Sequence, residues 1–201
     1  MIAIVNYGMG NIASVTMAFK KLGYDVCVTD DVAQLEKASH IVLPGVGAFP
    51  AAMEEIDKRG LREPLRRLAQ TIPFLGICLG MQLLFTIGEE GGVDKKGLDL
   101  IPGRVVKIET DEVLPHMGWN TLKIHSAFPS YQSLDGKYVY FVHSYVAKTD
   151  QDYVVATTDY GTDVTAIVQN NHIYGMQFHP EKSGEIGQQL LKLFLKEAVK
   201  V

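Results

Sequence analysis

The sequence predicts an α/β fold: an open, mostly parallel twisted sheet with helices on both faces, joined by antiparallel strands in the second half. Short apolar runs alternate with amphipathic helical stretches through roughly the first 85 residues, the pattern of a doubly wound parallel sheet. The second half breaks into short β-rich segments separated by turn residues, the pattern of antiparallel hairpins. Near the end, Ile186, Leu190, Phe194 and Ala198 recur at spacing four, which is one more helix with a single apolar face.

The elements follow in order. Ile2 to Asn6 is a continuous apolar run and reads as a buried strand; Asn11 to Leu22 has helical periodicity. Strands are expected at Asp25 to Thr29 and His40 to Leu43, then a loop from Pro44 to Pro50. Helices should cover about Ala51 to Lys58 and Leu61 to Ala69, and a strand Pro73 to Ile77 should lead through a tight turn into a helical stretch, Met81 to Phe85. Beyond it, strands are expected at Arg104 to Ile108, Asn120 to Lys123, Tyr138 to Val142, Tyr153 to Thr158, Thr165 to Val168 and Ile173 to Gln177. The last helix should start at Ser183, a good N-cap with Glu185 in the first turn.

With 201 residues, 47% hydrophobic and 21% charged, the chain suits one globular domain, expected to span 1–201. A net charge of -4 without blocks of like charge gives no electrostatic reason for a nucleic-acid or membrane partner. Cys27 and Cys78 make neither a disulfide framework nor a CxxC pair, and the opening Met1-Ile2-Ala3-Ile4-Val5 has no basic region or cleavage site. The expected compartment is the cytoplasm. No apolar run is long enough to span a bilayer. His40, His116, His125, His143 and His172 show no metal-ligand spacing, so no metal is expected and most of these rings read as structural.

Three chemically loaded loops follow strands, where ligands collect at the carboxyl edge of an open α/β sheet. The first to explain is Gly76-Ile77-Cys78-Leu79-Gly80, which turns from strand to helix with a thiol at the apex, as a nucleophile elbow does. The flanking glycines keep Cβ atoms out of that turn, and a helix N-terminus favours an ionised thiol. The competing reading is a small buried hydrophobe. In His179-Pro180-Glu181, proline pushes His179 toward an extended conformation. Residues i and i+2 then project to one side, so Glu181 can orient His179 while the other ring nitrogen faces Cys78. Otherwise Glu181 caps the last helix. The third loop, Pro44-Gly45-Val46-Gly47, can present backbone N–H groups as an oxyanion hole, with Leu79 N–H as the second donor; otherwise it is a plain turn. Gln82 lies one turn after Cys78, placed to bond a polar substrate or to be solvated.

A rival pattern is Gly8-Met9-Gly10-Asn11-Ile12-Ala13, a dinucleotide fingerprint with Asp30 and Asp31 about twenty residues on. It implies a nicotinamide-dependent oxidoreductase and leaves the three loops without a job. A noncatalytic binding module is the third class, with an unreactive Cys78. Trp119, beside Met117 and Gly118, serves either the core or a partner.

In order along the chain, Asn6-Tyr7-Gly8-Met9-Gly10-Asn11, Pro44-Gly45-Val46-Gly47, Gly76 to Gln82, Pro115 to Asn120, Phe141 to Tyr145 and Gln177 to Ser183 resemble the class I, triad-type glutamine amidotransferases. Within them they resemble the glutaminase subunits that feed imidazole glycerol phosphate synthesis. The resemblance implies a class I amidotransferase fold with a flavodoxin-like core, a Cys78-His179-Glu181 triad, and an oxyanion hole from Val46, Gly47 and Leu79. L-glutamine would be gripped by Gly45, Gln82 and the Ser144-Tyr145 backbone, with no cofactor. A (β/α)₈ cyclase would form a heterodimer through Asn11, Met117, Trp119, Tyr138 and Lys182 and receive the ammonia; the Gly8 to Asn11 loop becomes interface. A relative that feeds another synthase is the alternative. The two glycines around Val46 further imply an oxyanion loop that completes itself on docking, so the free subunit should be nearly inert.

Overall fold

The computed structural model describes residues 1–197, and Ala198 of the expected apolar ladder lies outside them. The chain runs β1 (Ile2–Val5), α1 (Ile12–Lys21), β2 (Val26–Thr29), α2 (Val32–Leu35), β3 (His40–Leu43), α3 (Phe49–Lys58), α4 (Arg62–Leu68), β4 (Phe74–Ile77) and α5 (Leu79–Gln82). It continues through β5 (Phe85–Gly88), β6 (Lys95–Lys96), β7 (Ile101–Lys107), β8 (His116–Thr121), β9 (Lys123–Ile124), β10 (Tyr138–His143) and β11 (Tyr145–Lys148). It ends with β12 (Val154–Asp159), β13 (Asp163–Asn170), β14 (Ile173–Met176) and α6 (Gly184–Glu197).

Eight strands form the main sheet in the order β2-β1-β3-β4-β14-β13-β12-β9. The five from β2 to β14 pair parallel, and β13, β12 and β9 extend them antiparallel. Strands β1, β3, β4 and β14 are buried at every position, as expected of parallel strands covered on both faces. On one face, alternate residues Ile2, Ile4, Val42, Leu75 and Ile77 pack with Val15 and Phe19 of α1 and Leu190 and Phe194 of α6. On the other, Ala3, Val5, Ile41, Leu43 and Phe74 meet Leu35, Phe49, Met53, Ile56 and Leu65 from α2, α3 and α4. The period of two in the strands thus feeds two cores.

Apart from β9, the strands between β4 and β12 build two additional sheets, β11-β7-β5-β6 and the ribbon β10-β8. Here the sequence expectations need correction. The helix expected at Met81 to Phe85 is a single turn ending at Gln82, and Phe85 opens β5, whose Phe-Thr-Ile-Gly favours extended backbone beside β7. The strand expected at Asn120 to Lys123 is two strands in two sheets: β8 pairs β10, β9 pairs β12, and Leu122 bridges them by donating to Lys137 O. Strands β5, β6 and β11 and the short α2 had no counterpart in the sequence reading.

Candidate active site

The elbow is built from glycine interlocks. Cys78 follows β4 and precedes α5 with φ 54°, a positive value typical of a strained turn. A Cβ on Gly80 would lie 1.8 Å from Leu43 O, and one on Gly76 2.5 Å from Gly80 O. Strands β3 and β4 therefore meet the elbow backbone to backbone, and only glycine fits. Tyr7, buried beneath, donates its hydroxyl to Pro44 O at 2.9 Å, and burial followed by the neighbouring Cys78 charge pushes its phenol pKa up. Helix α5 has one turn, so its macrodipole is small and the helix-terminus argument for Cys78 carries little; its charged neighbour is His179.

His179 arrives on the chain leaving β14, the strand beside β4. Its backbone is extended, with φ -98° and ψ 95°, as the following proline requires. Nδ1 lies 2.7 Å from Glu181 Oε1, and the Glu181 side chain is 1% exposed. Burial alone would lower the His179 pKa; the Cys78 hydrogen bond, the Glu181 hydrogen bond and both charges outweigh it and raise it to about 9. His179 N–H donates to Tyr140 O at 2.9 Å, and Ser183 Oγ donates to His179 O at 2.7 Å while accepting from Tyr140 N at 3.0 Å. Ser183, expected to cap α6, has its hydroxyl committed to holding the histidine turn against β10.

Cys78, Leu79, Val46, Gly47, Gln82, Ser144, Tyr145, His179 and Lys182 line one cleft of about 390 Å³. Leu79 opens α5, so its N–H has no intrahelical acceptor. Gly47 has φ +97° with the Met9 methyl packed on it, and Gly45 stays out of the cleft wall. A Cβ on Gly45 would reach 2.7 Å from both Gly80 N and the Tyr7 hydroxyl, so this residue, expected to touch substrate, supports the elbow from below. Gln82 is buried and donates Nε2 to Tyr145 O at 3.2 Å and Gln177 Oε1 at 3.0 Å, which leaves its oxygen for a ligand. Glu90, absent from the sequence reading, and His143, read there as structural, also line the cleft. Glu90 accepts from Phe49 N at 2.7 Å and so caps α3, whose N-cap Ala48 has no side-chain bond to give. No local pattern marks it, since the contact crosses 41 residues.

The residues of the rival fingerprint are engaged otherwise. Asp30 pairs with Arg59 Nη1 at 2.9 Å, Asp31 caps α2, and Gly10 packs on Pro44. The Asn11 side chain, expected at an interface, caps α1 by accepting from Ser14 N at 3.4 Å. Met117, Trp119 and Tyr138 are 61%, 56% and 59% exposed and share the outer face of the β8–β10 ribbon. Among the described residues no helix is long and apolar enough to cross a membrane.

Comparison with known proteins agrees with this geometry. The family described as glutamine amidotransferase class-I matches residues 3–198. The chain is 52% identical to a protein of Exiguobacterium sibiricum named imidazole glycerol phosphate synthase subunit HisH, over 96% of this chain and 93% of that one. It is 49% identical to the protein of that name from Methanothermobacter thermautotrophicus, over 98% of both. Among solved structures, one titled as a glutamine amidotransferase superposes with TM-score 0.78 at 18% identity, over 98% of both chains. The structure of PurLQS from Thermotoga maritima gives 0.70 at 19%, over 97% of both. Those two likenesses concern the fold.

Proposed function

This chain belongs to the glutamine amidotransferase class-I family, and from that footing we propose that it hydrolyses L-glutamine at Cys78 and passes the ammonia to a cyclase that makes imidazole glycerol phosphate. The observation that carries the reading is the Cys78 elbow opposite a histidine whose far nitrogen is bonded to a buried carboxylate. With Nδ1 held by Glu181, Nε2 of His179 is the nitrogen for the thiol. The thiolate attacks the carboxamide carbon, and the carbonyl electrons move onto oxygen, facing Leu79 N–H and the Val46-Gly47 backbone. The imidazolium gives its proton to the departing nitrogen, the C–N bond breaks, and a glutamyl thioester remains on sulfur. Water, deprotonated by the now neutral His179, then releases glutamate and regenerates the thiol.

The cleft suits an amino acid. Glu90 is its only acidic lining residue and faces the ammonium group, while the Ser144 and Tyr145 N–H groups take the carboxylate. Ammonia released to water would be protonated and lost as a nucleophile, so delivery to a docked second active site follows. The exposed Met117, Trp119 and Tyr138 with Lys182 at the cleft rim form the docking face for a (β/α)₈ cyclase. The test is glutamate formation by wild type and Cys78→Ala, with and without the cyclase and its ligand. Turnover that needs both thiol and partner supports the reading; turnover surviving Cys78→Ala overturns it.

A further inference from the structure

Two buried imidazoles, His143 on the cleft wall and His116 behind it, have no part in the chemistry above. His116 and His143 are register partners on the inner face of the β8–β10 ribbon. His116 Nδ1 is 3.1 Å from His143 Nε2, His143 Nδ1 is 2.8 Å from Tyr145 O, and Asn120 Nδ2 is 3.3 Å from His116 Nε2. A carbonyl only accepts, so the His143 proton sits on Nδ1. Its Nε2 must then accept, which places the His116 proton on Nδ1 as well, and His116 Nε2 accepts from Asn120. The Asn120 amide is oriented independently, by Nδ2 donating to Asp159 O at 2.7 Å and Oδ1 accepting from Thr121 N at 2.8 Å. Every bond in the chain therefore points one way, from Asn120 to Tyr145.

Both rings stay neutral. Burial lowers each pKa to about 4, and the charge on His179 works further against protonation of His143. His116 is stacked between Tyr160 and Phe141, with centroids at 4.0 and 4.7 Å. Among the described residues no cluster of His, Cys, Asp or Glu is fit to hold a metal, so the pair is not half of a metal site. The chain ends on the segment that faces the substrate. Tyr145 O takes both His143 and Gln82, and Ser144 O accepts from Ile108 N at 3.0 Å. Both carbonyls are thus tied into the protein, and Ser144 O fixes the Tyr145 N–H that shares its peptide plane. The His143 bond to Tyr145 O also pins the corner at Ser144, where the chain leaves β10 in one sheet for β11 in another.

We propose that Asn120, His116 and His143 form a one-way hydrogen-bond relay that positions the Ser144-Tyr145 backbone for the carboxylate of glutamine. The relay runs on the inner face of the ribbon whose outer face carries Trp119, so glutamine affinity is set by the same two strands that form the docking face. The inference rests on the glutaminase reading. These are positioning residues, and the reacting atoms belong to Cys78 and His179.

The experiment is steady-state glutamine hydrolysis by the chain in complex with the cyclase and its ligand. His116→Phe keeps a ring in the stack and removes both nitrogens; His116→Asn returns an N–H donor near the Nδ1 position. The Phe variant should raise KM for glutamine roughly tenfold or more with kcat within about threefold, and the Asn variant should recover most of that loss. An unchanged KM, a loss confined to kcat, or an Asn variant no better than Phe overturns the relay. If the relay fails by these measures while Cys78→Ala abolishes wild-type turnover, the glutaminase reading still stands; absence of wild-type turnover removes both. If the Phe variant does not fold, ring-nitrogen NMR of the wild-type chain decides. Nδ1–H tautomers at both His116 and His143 are required, and an Nε2–H tautomer at His143 overturns the proposal.

Discussion

Replacing Gly80 by alanine tests whether the elbow stands on backbone contact. A Cβ there would sit 1.8 Å from Leu43 O and 2.8 Å from Leu43 C. A relaxed carbon–oxygen contact is about 3.3 Å, so β3 and the elbow must part by roughly 1.5 Å. Neither atom belongs to a flexible side chain, and Leu43 is itself paired with Gly76 in the β3–β4 register, so the shift has to propagate into the sheet. Overpacking that side chains can absorb costs about 1–3 kcal/mol, and a backbone clash of this size belongs at or above the top of that range, about 3 kcal/mol. With a urea m-value of about 2 kcal/mol/M, the unfolding midpoint falls by about 1.5 M. Gly60→Ala is the control: Gly60 has φ +64° but nothing within 4 Å of its Cβ position, so it costs only local strain, about 1 kcal/mol. Urea titration followed by circular dichroism measures both. A Gly80→Ala midpoint within about 0.5 M of wild type, or a loss no larger than that of Gly60→Ala, refutes the interlock.

The Glu181→Gln variant removes the carboxylate that helps hold His179 protonated, so kcat for glutamine should fall by about 10²-fold or more with KM little changed, read by glutamate release in the complex. The buried His116 and His143, with native pKa values near 4 against 6.5 unfolded, contribute stability that is complete above pH 6.5 and lost as pH falls through 4. Each withdraws up to about 3 kcal/mol, so wild type should lose more stability than His116→Phe between pH 6.5 and 4 in denaturant titrations. Trp119→Ala should weaken cyclase binding by about 2 kcal/mol in calorimetry while leaving the melting temperature within a degree or two, since the indole is 56% exposed. Isolated chain should show little glutamine turnover until the cyclase and its ligand are added.

Legibility followed the range of the interactions. The parallel core was readable because burial on both faces writes itself as unbroken runs such as Ile2–Val5 and Phe74–Ile77, each bounded by turn residues. The placement of Cys78 beside His179 and Glu181 was readable because an elbow and a proline-fixed turn are local devices, and the strands that carry them prove to be neighbours. Strands β5, β6 and β11 were not readable: they are two to four residues long and take their extended form from partners in a small sheet rather than from their own periodicity. Glu90, and the place of His143 at the cleft, escaped for a related reason. A carboxylate capping a helix 41 residues away and an imidazole facing another across a ribbon leave no pattern in either segment. The dinucleotide-like loop offered only a rival reading because glycine spacing reports a tight turn between strand and helix without reporting what the turn holds.

The position of β14 has a consequence for biosynthesis. That strand enters the sheet directly beside β4, yet it leaves the ribosome about a hundred residues after the elbow. A nascent chain that has already laid down β1 to β4 thus carries its thiol without a base, and the pairing must wait until β14 and the His179 turn have been translated. Prematurely terminated products are left incapable of wasting cellular nitrogen.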